Sequence, residues 1–461
     1  MSVVALCASG VWVVLSIRSA RWVLRRVVAC LGSACAAGAV LALAVGGNAP
    51  LGRQLLAESA PFGGPFQGAL SRAEDRLAWA LADAAEPAAR AGRGAVHSRV
   101  RFLPRAAHRT VLLVTVDALR ADAVEPGRPL AAHAPELVAL GQGALRFSRA
   151  YSPGNKTPIA VPGIVLGALP VGDDAPKLAD SLASPFNRGG YATHFFFTSH
   201  EYANLEPTPL WPLASRGFGF QLYYRDYLSA REILSRAQRV LDRPGTPRFV
   251  WVHLSDLHHP FLLGSARRGG SLAEAYPAEL AALDGVLARF LNRFRQENPD
   301  AIWALASDHG ESLGERGVSF HGSNLFDEQI RVPLLLGGPG TSPGLVERPV
   351  GLAAIGATLA VLAGAEAEAG VPLLPLPHGA RSRSFPPVLS AGIDACAWID
   401  FPYKLIADPG KGTMALYDLE RDPAESRNLI AEQRDRAEAL MTALLRGGCP
   451  YDLRALGASM R

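Results

Sequence analysis

The sequence predicts an α/β protein built on a mostly parallel central sheet, with a small C-terminal α+β subdomain behind it and one or two transmembrane helices ahead of it. Three observations carry that expectation. Short apolar, β-branched runs recur along the chain, helical patterns separate them, and the ends of three runs carry carboxylates and imidazoles. The first run, Thr110–Val116 (TVLLVTV), is continuous and uncharged, as a strand buried on both faces must be. Similar runs follow at His194–Thr198, Phe249–Leu254, Ala301–Ala306 and Val332–Leu336, with helical patterns at Leu228–Leu241 and Glu279–Arg295. Residues 338–390 are Gly/Pro-rich around one helix near Leu352–Ala363. Residues 391–446 read as short strands and then a helix.

Composition sets the outer limits. At 461 residues, 49% hydrophobic and 19% charged, the chain has ample material for a large core. A net charge of +4 is mild for this length, and basic stripes interleaved with aromatics are missing, so nucleic acid is excluded as a partner. Of five cysteines, Cys7, Cys30 and Cys35 lie in the apolar N-terminal stretch. Without a CxxC pair, neither a thiolate zinc site nor a disulfide scaffold is expected; a single Cys396–Cys449 bridge is left open.

Residues 1–57 contain no acidic side chain. Ser2–Ile17 is apolar but short for a span, Arg18, Arg21, Arg25 and Arg26 follow, and Val27–Gly47 is an uncharged run of 21 residues. A hydrocarbon core needs about 20 residues. A cleaved signal peptide and a buried core helix compete, but Val27–Gly47 exceeds the usual apolar core of a signal peptide. A single span from Val27 keeps the arginines cytoplasmic and sends the rest of the chain outside; a two-span hairpin can also be drawn. The expected organisation is a membrane anchor over 1–47, a neck over 48–107 with an amphipathic helix at Ala69–Ala85, a catalytic domain over 108–390 and the C-terminal subdomain over 391–461. The large domain is expected in the periplasm or outside the cell.

In open α/β sheets ligands gather beyond the carboxyl ends of the strands. There the sequence places Asp117 after the first run, His253 through His258 and His259 at the third, and Asp308-His309-Gly310-Glu311 at the fourth. Asp117, Asp308 and His309 make a hard oxygen set with one nitrogen, suited to a single divalent ion such as Mn, Zn, Ca or Mg. Asp117 or Asp122 alone would read as a helix cap; three acidic or imidazole-bearing strand ends together outgrow capping. A nucleophile is offered by Asn155-Lys156-Thr157-Pro158, where a cation can activate the Thr157 hydroxyl. Thr-Pro is also the start signature of a helix, whose free N–H groups favour an anion. Lys156 can bind a transferring phosphoryl or sulfuryl group or stand solvated.

Taken in order, Asp117, Thr157, His253 and His258, Asp308-His309-Gly310-Glu311 and His321-Gly322 resemble the sulfatase-like branch of the alkaline phosphatase superfamily. The likeness covers about residues 109–446. It is most specific at Ser307–Pro333 (SDHGESLGERGVSFHGSNLFDEQIRVP), with support from VTVDALRAD at 114–122, HLSDLHHPF at 253–261 and LYDLERDPAESRNL at 416–429. It implies an α/β/α sandwich and one divalent metal held by Asp117, Asp308, His309 and Thr157. It also implies Thr157 as nucleophile, His258 as general acid at the leaving group and His321 against the anionic group. His253 is a neighbour of vaguer role on the substrate side, where a packed histidine is the plainer reading, as it is for His259. The substrate implied is an anionic phosphate or sulfate ester, lipid- or glycan-linked forms included.

The sequence departs from that family at the nucleophile. Counting back from Gly167 puts Thr157 in the slot that formylglycine-dependent sulfatases fill with Cys or Ser, and the motif's Arg is Val161. Thr157 with Pro162 instead resembles membrane-anchored phosphoethanolamine- and lipoteichoic-acid-type transferases, although those have longer membrane parts. Ala160 and Ala354 also replace polar family residues. The alternative to an enzyme is a membrane-tethered binding protein that keeps the fold without the chemistry.

Overall fold

The computed structural model describes residues 3–8, 11–16, 96–103, 109–169, 181–198, 220–225, 228–259, 261, 271–369, 371, 373–375, 386–451, 453 and 456. Two units, Met1–Ala73 and Glu74–Arg461, are each described by themselves. In the first, the apolar run Ser2–Ile17, expected as a marginal helical span, instead forms two antiparallel strands, Val3–Ala8 and Val11–Ser16, with Val3 opposite Ser16 and Ala8 opposite Val11. Five valines explain the correction: Val3, Val4, Val11, Val13 and Val14 favour extended backbone, and Ser9-Gly10 between them is a turn signal. No helix among the described residues is long and apolar enough to cross a membrane. Val27–Gly47, the arginine cluster and the neck helix at Ala69–Ala85 lie outside the described residues.

In the second unit the expected runs become an eight-stranded sheet. Its strands are β1 (Val111–Val116), β2 (Leu145–Phe147), β3 (Ala192–Thr198), β4 (Gln221–Arg225), β5 (Arg248–Leu254), β6 (Ile302–Ser307), β7 (Leu334–Gly337) and β8 (Gly344–Val346), in the order β8-β2-β7-β6-β1-β5-β3-β4. Five of the seven pairings are parallel; β7 is antiparallel to both β6 and β2. The run read as Val332–Leu336 is broken at Pro333, which has no N–H to give a ladder, into Arg331–Val332 and β7.

Alternation along each strand splits the core into two layers. Leu112, Val114 and Val116 of β1, with Val250, Val252 and Leu254 of β5, face α1 (Pro135–Gln142), α4 (Ala230–Leu241) and α5 (Leu272–Glu297). Val111, Leu113, Phe249 and Trp251 face α2 (Thr157–Leu166), α3 (Ala183–Arg188) and α6 (Ile355–Leu362). Helices on both faces of a largely parallel sheet make the expected α/β/α sandwich. Helix α2 is buried at every position, because Ile164 and Val165 meet the sheet layer while Ile159 belongs to the C-terminal core.

That second core is an antiparallel sheet of β9 (Val388–Ala391), β10 (Cys396–Asp400), β11 (Tyr403–Asp408) and β12 (Thr413–Asp418), closed by α7 (Arg434–Gly447). Cys396 and Cys449 are joined across 53 positions of sequence. Lys404, wholly buried, puts its Nζ 2.9 Å from Asp327 Oδ1 and 2.7 Å from Glu425 Oε1, which ties the subdomain to the segment that follows the site loops.

The disulfide generates a stability prediction. Closing a loop of this length removes denatured-chain entropy worth about 4 kcal/mol in the loop-closure account. Cys396→Ser with Cys449→Ser should therefore lower the unfolding free energy by about 2–4 kcal/mol in urea titration, with a steeper slope because the uncrosslinked denatured chain exposes more surface.

Candidate metal and ester site

The site is built from the register of two neighbouring strands. Parallel pairing of β6 with β1 sets Ser307 beside Val116, so the next residues, Asp308 and Asp117, emerge side by side. Ser307 fastens the two exits: its Oγ accepts the Leu119 N–H at 3.1 Å and reaches the carbonyls of Val116 and His309. The Asp117 N–H donates to Leu254 O at 2.7 Å, which brings the end of β5 to the same place. Asp117, Asp308 and His309 are each wholly buried.

Thr157 joins them from α2. Lys156 is the cap residue, in extended backbone, and Thr157 is the first helical residue, one position later than a capping threonine would stand. Its Oγ1 lies 3.3 Å from Asp117 Oδ2 and 3.2 Å from His309 Nε2. His309 Nδ1 is 2.9 Å from the Gly310 carbonyl, which can only accept, so the Nδ1 proton is committed there and Nε2 presents its lone pair. That nitrogen sits 3.3 Å from Asp117 Oδ1 and 3.5 Å from Asp308 Oδ2. Burial, only partly offset by the Asp308 charge, pulls the His309 pKa down to about 4, so the imidazole is neutral at pH 7. Asp308 Oδ2 is buried with no hydrogen-bond partner.

Two buried carboxylates facing a neutral imidazole lone pair form a donor set with no proton to share. A divalent cation fits those residues. Asp117, Asp308 and His253 also offer ligand atoms within 4.8 Å of one another, which brings His253 closer to the carboxylates than a substrate-side histidine needs to be. Its Nδ1 is 2.8 Å from Thr115 Oγ1, which accepts the Trp251 indole N–H at 2.9 Å, so the ring is anchored through Nδ1.

The remaining histidines continue outward. The His321 ring is 4.2 Å from that of His309, and the His258 ring 5.1 Å from that of His321. His258 Nδ1 is 2.6 Å from the His259 carbonyl, which commits a proton to that nitrogen. His321 Nδ1 lies 3.1 Å from Glu311 Oε1. Burial raises Glu311 to about 7 and, with His258 nearby, lowers His321 to about 3. Lys156 approaches the same loop: its Cδ would stand 3.5 Å from a Cβ at Gly322. All eight sequence-derived residues therefore gather at one end of the sheet.

Residues that the sequence did not single out hold this arrangement. Glu311, quoted only as part of a motif, orients His321. Arg120 grips Asp122 through two hydrogen bonds of 3.0 and 2.9 Å and donates to Glu311 O at 2.8 Å, so Asp122 is a structural partner and no ligand. Gln329, wholly buried, donates to Ser312 Oγ, Phe320 O and Ser323 Oγ and accepts from Ser323 N and Asn324 N, clamping the 320–324 loop. Gly310 is required where it stands, because a Cβ there would lie 2.2 Å from Glu328 O.

A divalent ion at a hundredfold excess over its Kd should stabilise the protein by about 2.7 kcal/mol, read as a rise in Tm. Asp308→Asn should abolish that rise and, by removing one of two like charges, stabilise the metal-free protein. An Asp308→Asn variant less stable than wild type without metal would contradict the reading.

Comparison with known proteins bears on the fold and the family. Choline-sulfatase of Rhizobium meliloti (strain 1021) is 33% identical over 206 residues, which span 41% of this chain and 39% of that protein. The chain thus spans about two fifths of the length of this relative. Among solved structures, a 2-O GAG sulfatase superposes with a TM-score of 0.59 at 16% identity over 76% of this chain and 96% of that one. Phosphonate monoester hydrolase from Silicibacter pomeroyi gives 0.54 at 17% identity over 73% and 94%. These two likenesses show the fold. A family model for sulfatases matches residues 109–365, more than half of the chain and every proposed ligand within it; the chain belongs to the sulfatase family.

Proposed function

We propose that the protein is a membrane-anchored, metal-dependent ester hydrolase or transferase that acts on phosphate or sulfate esters through Thr157, with its catalytic domain in the periplasm or outside the cell. The observation that carries the proposal is the Thr157 hydroxyl at the first position of α2, 3.3 Å from Asp117 and 3.2 Å from His309, inside a buried donor set. A divalent cation held by Asp117, Asp308, His309 and Thr157 supplies Lewis-acid polarisation and favours the ionised hydroxyl.

The chain's own groups supply the rest. Thr157 Oγ, ionised with its proton released to solvent, attacks phosphorus or sulfur, while the free N–H groups and dipole of the α2 terminus favour the negative charge on it. Lys156 and His321 bind the non-bridging oxygens. His258, entering the step with a proton on each ring nitrogen, gives its Nε2 proton to the departing alcohol oxygen as the bond from that oxygen to phosphorus or sulfur breaks, leaving the phosphoryl or sulfuryl group on Thr157. Water or an acceptor hydroxyl then displaces Thr157, with His258 taking the incoming proton. Thr157 in place of a formylglycine precursor favours phosphoryl chemistry; the likeness to choline-sulfatase favours sulfate esters. The Cys396–Cys449 bridge supports an oxidising compartment, in keeping with the acid-free, arginine-bearing N-terminus.

The test uses the full-length chain with Mn, Zn, Ca or Mg on aryl phosphate monoesters, diesters and aryl sulfate. Turnover of at least one phosphate ester should require metal and should fall by roughly 10³-fold or more in Thr157→Ala and in Asp308→Ala. Sulfate turnover that survives Thr157→Ala would remove Thr157 from the nucleophile's place. Bound metal without turnover of any ester would favour the binding protein.

A further inference from the structure

Two phenylalanines at the mouth of the site are held in backbone conformations that bulky residues avoid. Phe261 has φ +68° and Phe320 φ +69°; each stands two or one residues from a histidine of the site, His259 and His321 respectively. Neither conformation is left to chance. The Phe261 N–H donates to His258 O at 2.9 Å, and Phe320 O accepts from the buried Gln329 amide at 3.1 Å. The outcome is an aromatic cluster on the rim. The His259 ring meets Phe320 edge to face at 5.6 Å and Phe261 at 5.9 Å. Phe261 is 9% exposed and forms the floor; Phe320 is 44% exposed and His259 is also open. An exposed phenylalanine kept in a disfavoured conformation by a buried clamp is unfavourable on two counts unless something uses its face.

Resting on the ester reading above, we infer that His259 and Phe320 form a specificity platform for the alcohol part of the substrate, and that this alcohol carries an uncharged six-membered ring. His258, adjacent in sequence to His259, is the residue placed at the leaving oxygen, so the alcohol departs toward this rim. An aromatic face accepts either a flat ring or a cation. The surroundings decide between them: Lys156 reaches the loop that bears Phe320, its Cδ 3.5 Å from where a Cβ at Gly322 would stand, and a quaternary ammonium there would meet its positive charge. An aryl ring, or the C–H face of a pyranose, meets no such opposition.

The test measures Kd for non-hydrolysable phosphonates on the metal-loaded full-length protein, beside turnover of the matching esters. Benzylphosphonate and a pyranosylmethyl phosphonate represent the two ring sources, ethylphosphonate the ringless control and trimethylammonioethyl phosphonate the cation. At least one ring ligand should bind roughly tenfold tighter than ethylphosphonate, as one added aromatic contact allows. Phe320→Ala should erase most of that ratio, and Phe320→Gly, which suits the left-handed backbone, should erase it without loss of thermal stability. Equal affinities for ring and ethyl ligands, a ratio unchanged in Phe320→Gly, or tightest binding of the ammonium compound would overturn the inference. Ring preference that depends on Phe320 in a protein that turns over no ester would uphold the platform and overturn the enzyme reading instead.

Discussion

Two like charges buried at adjoining strand ends are the constraint on which the rest of the site depends. Because β6 runs parallel to β1 with Ser307 beside Val116, Asp308 and Asp117 cannot avoid each other. Ligand atoms within 4.8 Å of one another repel, as carboxylates, by roughly 3.5 kcal/mol at an effective dielectric of 20. The imidazole that faces them is neutral and turned so that its lone pair adds to the negative field. Such a centre favours a cation, and its preorganisation without one must come from the surrounding scaffold.

That scaffold reaches well beyond the α/β/α sandwich. Ser152 Oγ donates to Asp308 O and accepts from Gly154 N, and Ser390, on β9 of the C-terminal sheet, donates to Ser152 O. Lys404 on β11 neutralises Asp327 and Glu425, whose pKa burial raises to about 7, and Asp327 heads the helical turn that ends with Gln329 and Ile330. Gln329 in turn holds the loop bearing Phe320 and His321. The small subdomain therefore buttresses both the aspartate exit and the outer histidine loop, which explains why α2 packs Ile159 against it while presenting Thr157 to the ligands.

Much of this was legible in the sequence for physical reasons. Runs buried on both faces, such as Thr110–Val116, leave a continuous apolar signal, and polar residues at their carboxyl ends must point at whatever the sheet holds, which located Asp117, Asp308 and His309. The resemblance to a known family supplied what periodicity could not: the pairing of distant Thr157, His258 and His321 with them. Apolar content alone misled at Ser2–Ile17, where β-branched valines made strands. The clamps were invisible, because Gln329, Thr115 and Lys404 acquire their roles only when loops far apart in sequence converge. Phe320 gave no signal either; its meaning lies in a backbone angle.

The most direct test of the central claim is a crystal structure of the protein grown with manganese, read by anomalous scattering. One strong peak is expected where Asp117, Asp308 and His309 Nε2 converge, within about 2.5 Å of the Thr157 hydroxyl. A peak elsewhere, or one at that place with the Thr157 hydroxyl turned away and out of reach, would contradict that claim.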